Sequence, residues 1–181
     1  MFMRKQSIIF GLAVAVVGCA GLSSIETPQR YGLGTPLSER ELAAWNIDVD
    51  IDGQGLPHGR GTVAQGKAIY VAKCASCHGP KGEGSPALRL VGGSVKALPA
   101  VKTVGSFWPY ATTLYDYVYR AMPWDRPQSL TPDEVYAVSA YVLFMNGIVP
   151  ESAALDQTSL PKVRMPNRDG FTSPDPRPDT R

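Results

Sequence analysis

Lys73-Cys74-Ala75-Ser76-Cys77-His78-Gly79-Pro80, KCASCHGP, sets two thiols two residues apart and an imidazole directly after the second. The chain has 181 residues but only 3 Cys and 2 His, so this one stretch gathers most of its soft ligands. A structural zinc site takes four protein ligands, and outside the stretch only Cys19 and His58 are left to complete one. No Gly-rich phosphate loop, paired-carboxylate motif or internal repeat accompanies it. With 44% hydrophobic and 19% charged residues, the chain suits one small core carrying irregular extensions.

Upstream, residues 1–22 read as an export signal: Arg4 and Lys5 form a positive start, and Ile8 to Val17 is an apolar run ending in small residues. The run is shorter than the roughly 18 apolar residues of a membrane span. Val16-Val17-Gly18-Cys19 resembles the lipobox of bacterial lipoproteins, which would make Cys19 a lipid anchor. Cleavage after Ala20 also fits, with Gly18 and Ala20 as the small pair. Either reading places the mature protein in the periplasm. Of 18 Lys+Arg against 16 Asp+Glu, Arg4 and Lys5 leave with the signal, so the mature chain is neutral and nothing in its charge points to nucleic acid. The charge is uneven, however. Glu39, Glu41, Asp48, Asp50 and Asp52 crowd one segment, while Arg60, Lys67, Lys73, Lys81, Arg89, Lys96 and Lys102 face only Glu83 in the next. That basic run is either a surface that steers an acidic partner or a solvated helix face.

In an exported protein, Cys-x-x-Cys-His is the attachment signature of one covalently bound haem c. Cys74 and Cys77 would add to the two vinyl groups along one porphyrin edge, and His78 would turn its imidazole under the iron as an axial ligand. Thioredoxin-like chemistry also uses Cys-x-x-Cys, but it needs no His, and no βαβ pattern surrounds the motif here.

The pattern of apolar residues predicts a short helix over Val63 to Lys73 that runs into the motif. A second helix is predicted over Pro132 to Asn146, with Thr131 as N-cap, Pro132 at the first helical position, Glu134 completing a capping box and Gly147 as the stop. Val135, Val138, Val142 and Met145 make its stripe, and Tyr136, Tyr141, Leu143 and Phe144 widen it until the helix reads as mostly buried. A third helix is expected over Thr113 to Ala121, with Gly- and Pro-rich loop elsewhere.

This arrangement resembles the all-α class I cytochrome c fold, in which the first and last helices cross at a Gly and an aromatic pair. Gly66, Tyr70 and Tyr141 stand at the matching positions. The resemblance implies an axial Met on the loop before the last helix, and Met122 in Arg120-Ala121-Met122-Pro123 occupies it. Met145 reads as core, Met165 lies in a Pro-rich tail, and His58 reads as a surface residue rather than a second imidazole ligand. The same family often holds the proximal His through a Pro carbonyl after the motif, here Pro86 in preference to Pro80. Trp108, Tyr110, Tyr115 and Trp124 are candidates for the cofactor wall or for core packing. No side chain besides His78 and Met122 looks like an acid, base or nucleophile, which points to outer-sphere electron transfer.

Three stretches outside the motif, YGLGTPLSERELAAWNIDVDIDGQGLP, GSFWPYATTLYDYVYRAMPWDRPQSLT and NGIVPE with LPKVRMPNRDGF, resemble the haem domain of SoxD and related sulfite dehydrogenase cytochromes. The resemblance implies electron acceptance from a molybdenum-containing sulfite or sulfane dehydrogenase subunit and delivery to a downstream cytochrome or terminal oxidase. A general shuttle cytochrome and a haem sensor with an open iron position are the rival readings. The expected organisation is a signal over 1–22, an irregular extension over 23–61, the haem domain over 62–150 and an extended Pro-rich tail over 151–181. From Leu160 onward the tail is expected to lie outside the haem fold, Leu160 to Phe171 as an arm over the domain or its partner.

Overall fold

A computed structural model describes residues 33–172. The expected signal over residues 1–22, Cys19 included, and the tail from residue 173 lie outside the described residues. The chain divides at Leu37 into two compact units. Of the first unit only residues 33–37 are described, and they carry no helix or strand; every named element belongs to the second.

The elements, in chain order, are α1 (Glu39–Trp45), β1 (Arg60–Thr62), α2 (Val63–Lys73), α3 (Ala75–His78), α4 (Val104–Phe107), α5 (Ala111–Ala121), α6 (Pro132–Met145) and β2 (Ala154–Asp156), followed by a 3₁₀ turn at Leu160–Lys162. Side-chain caps set the helix starts. Thr62 accepts from the Gln65 amide at α2 while the Gln65 side chain accepts from the Thr62 amide, and Thr131 and Glu134 do the same at α6. Such reciprocal caps satisfy amide groups that no turn of the helix can reach. Beyond α6, Gly147 takes a φ of +69°, a left-handed conformation that turns the chain away from the helix.

The α6 helix is the centre of the core, with every residue from Val135 to Leu143 buried. The α2 helix crosses it at Gly66. A Cβ built there would run into the Ala137 carbonyl oxygen and lie 2.8 Å from the Tyr141 Cβ, so only glycine permits this approach. Tyr70 and Tyr141 pack at the crossing with ring centroids 5.4 Å apart, and Lys73 Nζ reaches Glu134 Oε1 at 2.7 Å across its end. Beside the crossing, β1 and β2 form an antiparallel ribbon with Gly61 opposite Leu155. A side chain at Gly61 would meet the backbone of Ala137, so α6 lies directly against the ribbon.

Two features differ from the sequence reading. The stretch over 23–61 contains the capped helix α1 and ends inside the strand β1. More consequentially, Leu160 and Met165 are 0% and 1% exposed, inside the core rather than beyond it. A tight turn brings the chain back: Asp156 Oδ1 accepts from the amides of Thr158 and Ser159, each at 2.9 Å, and from both hydroxyls. The segment is then held by a β-bridge between Tyr110 and Arg164, by Asn167 Nδ2 donating to the Phe107 carbonyl at 2.7 Å, and by Phe171 packing on Phe107. Phe171 itself remains exposed. Among the described residues no helix is long and apolar enough to cross a membrane.

Candidate functional site

The motif is wound into a single helical turn at the end of α2. Cys74 caps α2 with its amide on the Tyr70 carbonyl at 2.9 Å, and its own carbonyl accepts from the amides of Cys77 at 3.1 Å and His78 at 3.0 Å. In a helical turn, residues three apart share a face, so this winding puts the two thiols on one side. Gly79 ends the turn at a φ of +80°, where a Cβ would meet the Glu83 side chain. The Tyr70 hydroxyl donates to the Gly79 carbonyl at 2.8 Å and so ties the turn back to α2.

The loop that follows folds over the turn: the Gly84 amide donates to the His78 carbonyl and the Ala87 amide to the Cys77 carbonyl, both at 2.8 Å. These bonds bring the Leu88 carbonyl within 2.8 Å of His78 Nδ1. A carbonyl only accepts, so Nδ1 carries the proton and Nε2 keeps its lone pair for a metal. The acceptor is therefore Leu88 and not Pro86, which lines the cavity instead. The register of the loop, set by the Ala87 and Gly84 amides, decides which carbonyl falls opposite the ring.

Cys74, Cys77 and His78 border a cavity of about 940 Å³ whose other walls include Met122 and the apolar side chains of Leu114, Val118, Val138 and Val142. Met122 is the C-cap of α5, with its amide on the Val118 carbonyl at 3.1 Å. The competing ligands fall elsewhere: Met165 is core, Met145 is half-buried against the core, and His58 is exposed with Nδ1 accepting from Gln157 Nε2 at 3.2 Å. Burial pushes the Cys74 thiol up to about 11, the nearby Cys77 adding to the rise while Lys73 opposes it. Cys77 is exposed.

The four aromatic candidates divide. Trp108 and Trp124 line the cavity, Trp108 in edge contact with Tyr117 at 5.7 Å and Trp124 84% exposed at its mouth. Tyr110 lies under the Arg168 guanidinium at 4.1 Å. Tyr115 is fully buried against Tyr136, its hydroxyl without a protein partner. Sequence reasoning missed Leu114, Tyr117 and Val118 as cavity walls. Their spacing with Met122 along α5 is the signal that would have found them.

Among the described residues no three His, Cys, Asp or Glu side chains gather as they would around a bare metal ion. Two thiols on one face of a turn, an imidazole with a fixed tautomer and a thioether, around a large apolar cavity, instead fit an iron porphyrin.

The family model described as cytochrome c oxidase, cbb3-type, subunit III matches residues 61–142. The crystal structure of the sulfane dehydrogenase SoxCD from Paracoccus pantotrophus contains a similar chain, 42% identical, with a TM-score of 0.77, covering 81% of this chain and 73% of that one. The chain belongs to the SoxD-like c-type cytochromes. Membership in the c-type cytochromes implies haem c as the cofactor and the class I fold for the helical body. No curated protein matches this cytochrome.

Proposed function

We propose that the chain is a periplasmic monohaem cytochrome that takes single electrons from a molybdenum-containing sulfite or sulfane dehydrogenase subunit and passes them to a downstream cytochrome or terminal oxidase. The observation that carries the reading is the meeting of Cys74, Cys77, His78 and Met122 on one apolar cavity. When bound, haem c supplies a one-electron iron couple. Cys74 and Cys77 would supply the thiols of its covalent links, and His78 and Met122 would supply its iron ligands. Were His78 and Met122 both to ligate the iron, the residues would hold and tune the group while it supplied outer-sphere electron transfer. The Leu88 carbonyl keeps the His78 proton on Nδ1 and strengthens Nε2 as a donor. The apolar walls from α5 and α6 would surround the group, and the thioether of Met122 would favour its reduced state.

The dehydrogenase partner follows from the similarity to SoxCD, which is a sulfane dehydrogenase. Two measurements test the proposal. Colour should stay with the polypeptide through acid and organic extraction and should be lost from the Cys74→Ala, Cys77→Ala double variant. The purified cytochrome should be reduced by a sulfur substrate only in the presence of the molybdenum subunit. Colour leaving with the solvent defeats the covalent reading, and reduction at the same rate without the subunit defeats the partner reading.

A further inference from the structure

The α5 helix carries two ridges of four-residue spacing, and one of them has no part in the site described above. Leu114, Val118 and Met122 follow one another at four-residue intervals along the cavity. Thr112, Asp116 and Arg120 follow at the same interval but two residues out of step, which at 100° per residue places them on the opposite side of the helix.

That rear ridge is bound to the segment Asp48–Ile51. Asp116 Oδ1 accepts from the Val49 amide at 3.0 Å, Thr112 Oγ1 donates to the Ile51 carbonyl at 3.1 Å, and Arg120 Nη1 donates to Asp48 Oδ1 at 3.3 Å. Asp116 also holds Arg120 through Oδ2 at 2.5 Å, and its side chain is only 13% exposed. The grasping segment is itself stiff. The Asp50 amide donates to the Gln54 carbonyl at 2.9 Å, and Gly55, at a φ of +86°, lies so near the Asp48 carbonyl that a Cβ would overlap it. Val49 and Leu56 pack on the core from either end of this loop.

Met122, by contrast, has one backbone hydrogen bond of its own, to the Val118 carbonyl of the same helix, so its place over the cavity is inherited from α5. We infer that Asp48–Ile51 is a clasp that positions Met122, with Asp116 as its principal positioning residue. The clasp grips the back of α5 and thereby sets how firmly the thioether is presented at the front. This inference rests on the reading of Met122 as an axial ligand, and its test separates the two.

The test uses the ferric, haem-loaded protein and imidazole as a competitor for the Met122 position, followed by absorbance. Asp116→Ala should raise imidazole affinity about tenfold, because two hydrogen bonds to a partly buried carboxylate are lost at once. Asp116→Asn keeps an oxygen for the Val49 amide and should raise it less. Thr112→Val removes a separate bond of the clasp and should shift affinity the same way, which keeps the test open if Asp116→Ala does not fold. In a Met122→Ala background the Asp116 substitution should have no further effect, since the group it positions is gone. The inference is overturned if Asp116→Ala, or Thr112→Val in its place, lowers the Tm but binds imidazole like the wild type. It is equally overturned if the rise persists in the Met122→Ala background. If Met122→Ala alone neither raises imidazole affinity nor abolishes the weak thioether-to-ferric charge-transfer band, the ligand assignment itself has failed and the clasp falls with it.

Discussion

Gly66→Ala is the sharpest test of how the helical body is held. The new methyl group would overlap the carbonyl of Ala137 and press on the Tyr141 Cβ at 2.8 Å, and none of these atoms can be moved by a change of rotamer. Relief requires α2 and α6 to separate. Overpacking of this kind costs about 1–3 kcal/mol, and a clash against backbone belongs at the upper end of that range. Alanine returns about 1 kcal/mol of helix propensity lost by glycine. The net loss is then about 2 kcal/mol, which for a body of this size lowers the Tm by roughly 6–12 °C. Thermal unfolding of the haem-loaded variant, followed by circular dichroism, measures it. Lys67→Ala, on the exposed side of the same helix, should stay within about 0.5 kcal/mol of wild type and serves as the control. A Gly66→Ala protein as stable as wild type, or more so, would show that the crossing is not tight and that the glycine is incidental.

Met165→Ala should cost about 2–5 kcal/mol, seen as a lower urea midpoint at an unchanged slope, because the side chain is fully buried; a variant unchanged in midpoint would return Met165 to the surface. Met122→His should keep the haem low-spin and lower its reduction potential in a spectroelectrochemical titration, since imidazole replaces a thioether that favours ferrous iron. Alkali should lower the stability of the protein from about pH 10 upward. Burial raises Tyr70 from its ordinary 10.0 to about 12 and pushes Tyr115 and Tyr136 up as well, so the unfolded chain loses these protons first. Their contribution is therefore complete below pH 10 and drains away as the pH climbs through the folded values. A flat stability profile between pH 9 and 12 would contradict it.

The helices that build the site were legible because their signals are local. Thr131, Pro132 and Glu134 announce α6 within four residues, and the structure begins the helix at Pro132 and ends it at Met145, one residue before the expected Asn146. The α2 helix spans Val63–Lys73 as read, and α5 begins two residues before the expected Thr113. The α1 helix carried the same capping signal, Ser38 with Glu41, but it buries no side chain, so no apolar stripe marked it. What stayed hidden depended on distant partners. The Leu160 and Met165 side chains lie in a Pro-rich stretch without periodicity, and only the turn at Asp156 shows that they return to the core. The Cys-x-x-Cys-His spacing could be read directly, whereas the acceptor of the His78 proton depended on the register of a loop pinned at Gly84 and Ala87. Neither residue type distinguishes one carbonyl from the next.

The ribbon of β1 and β2 joins the strand just before α2 to one that follows α6, so the ligand-bearing turn and the helices α2 to α6 all lie between its two sides. Closing so large a loop must be offset by contacts that exist only once both ends have met, and such pairings delay folding. The turn that presents Cys74, Cys77 and His78 needs no such meeting, for the backbone bonds that wind it, from the amides of Cys74, Cys77, His78 and Gly79, reach back no more than four residues. Topology thus separates two events in the life of the chain. The ligand-bearing turn can take shape while the body is still open to a molecule the size of a porphyrin, and the seam shuts behind it.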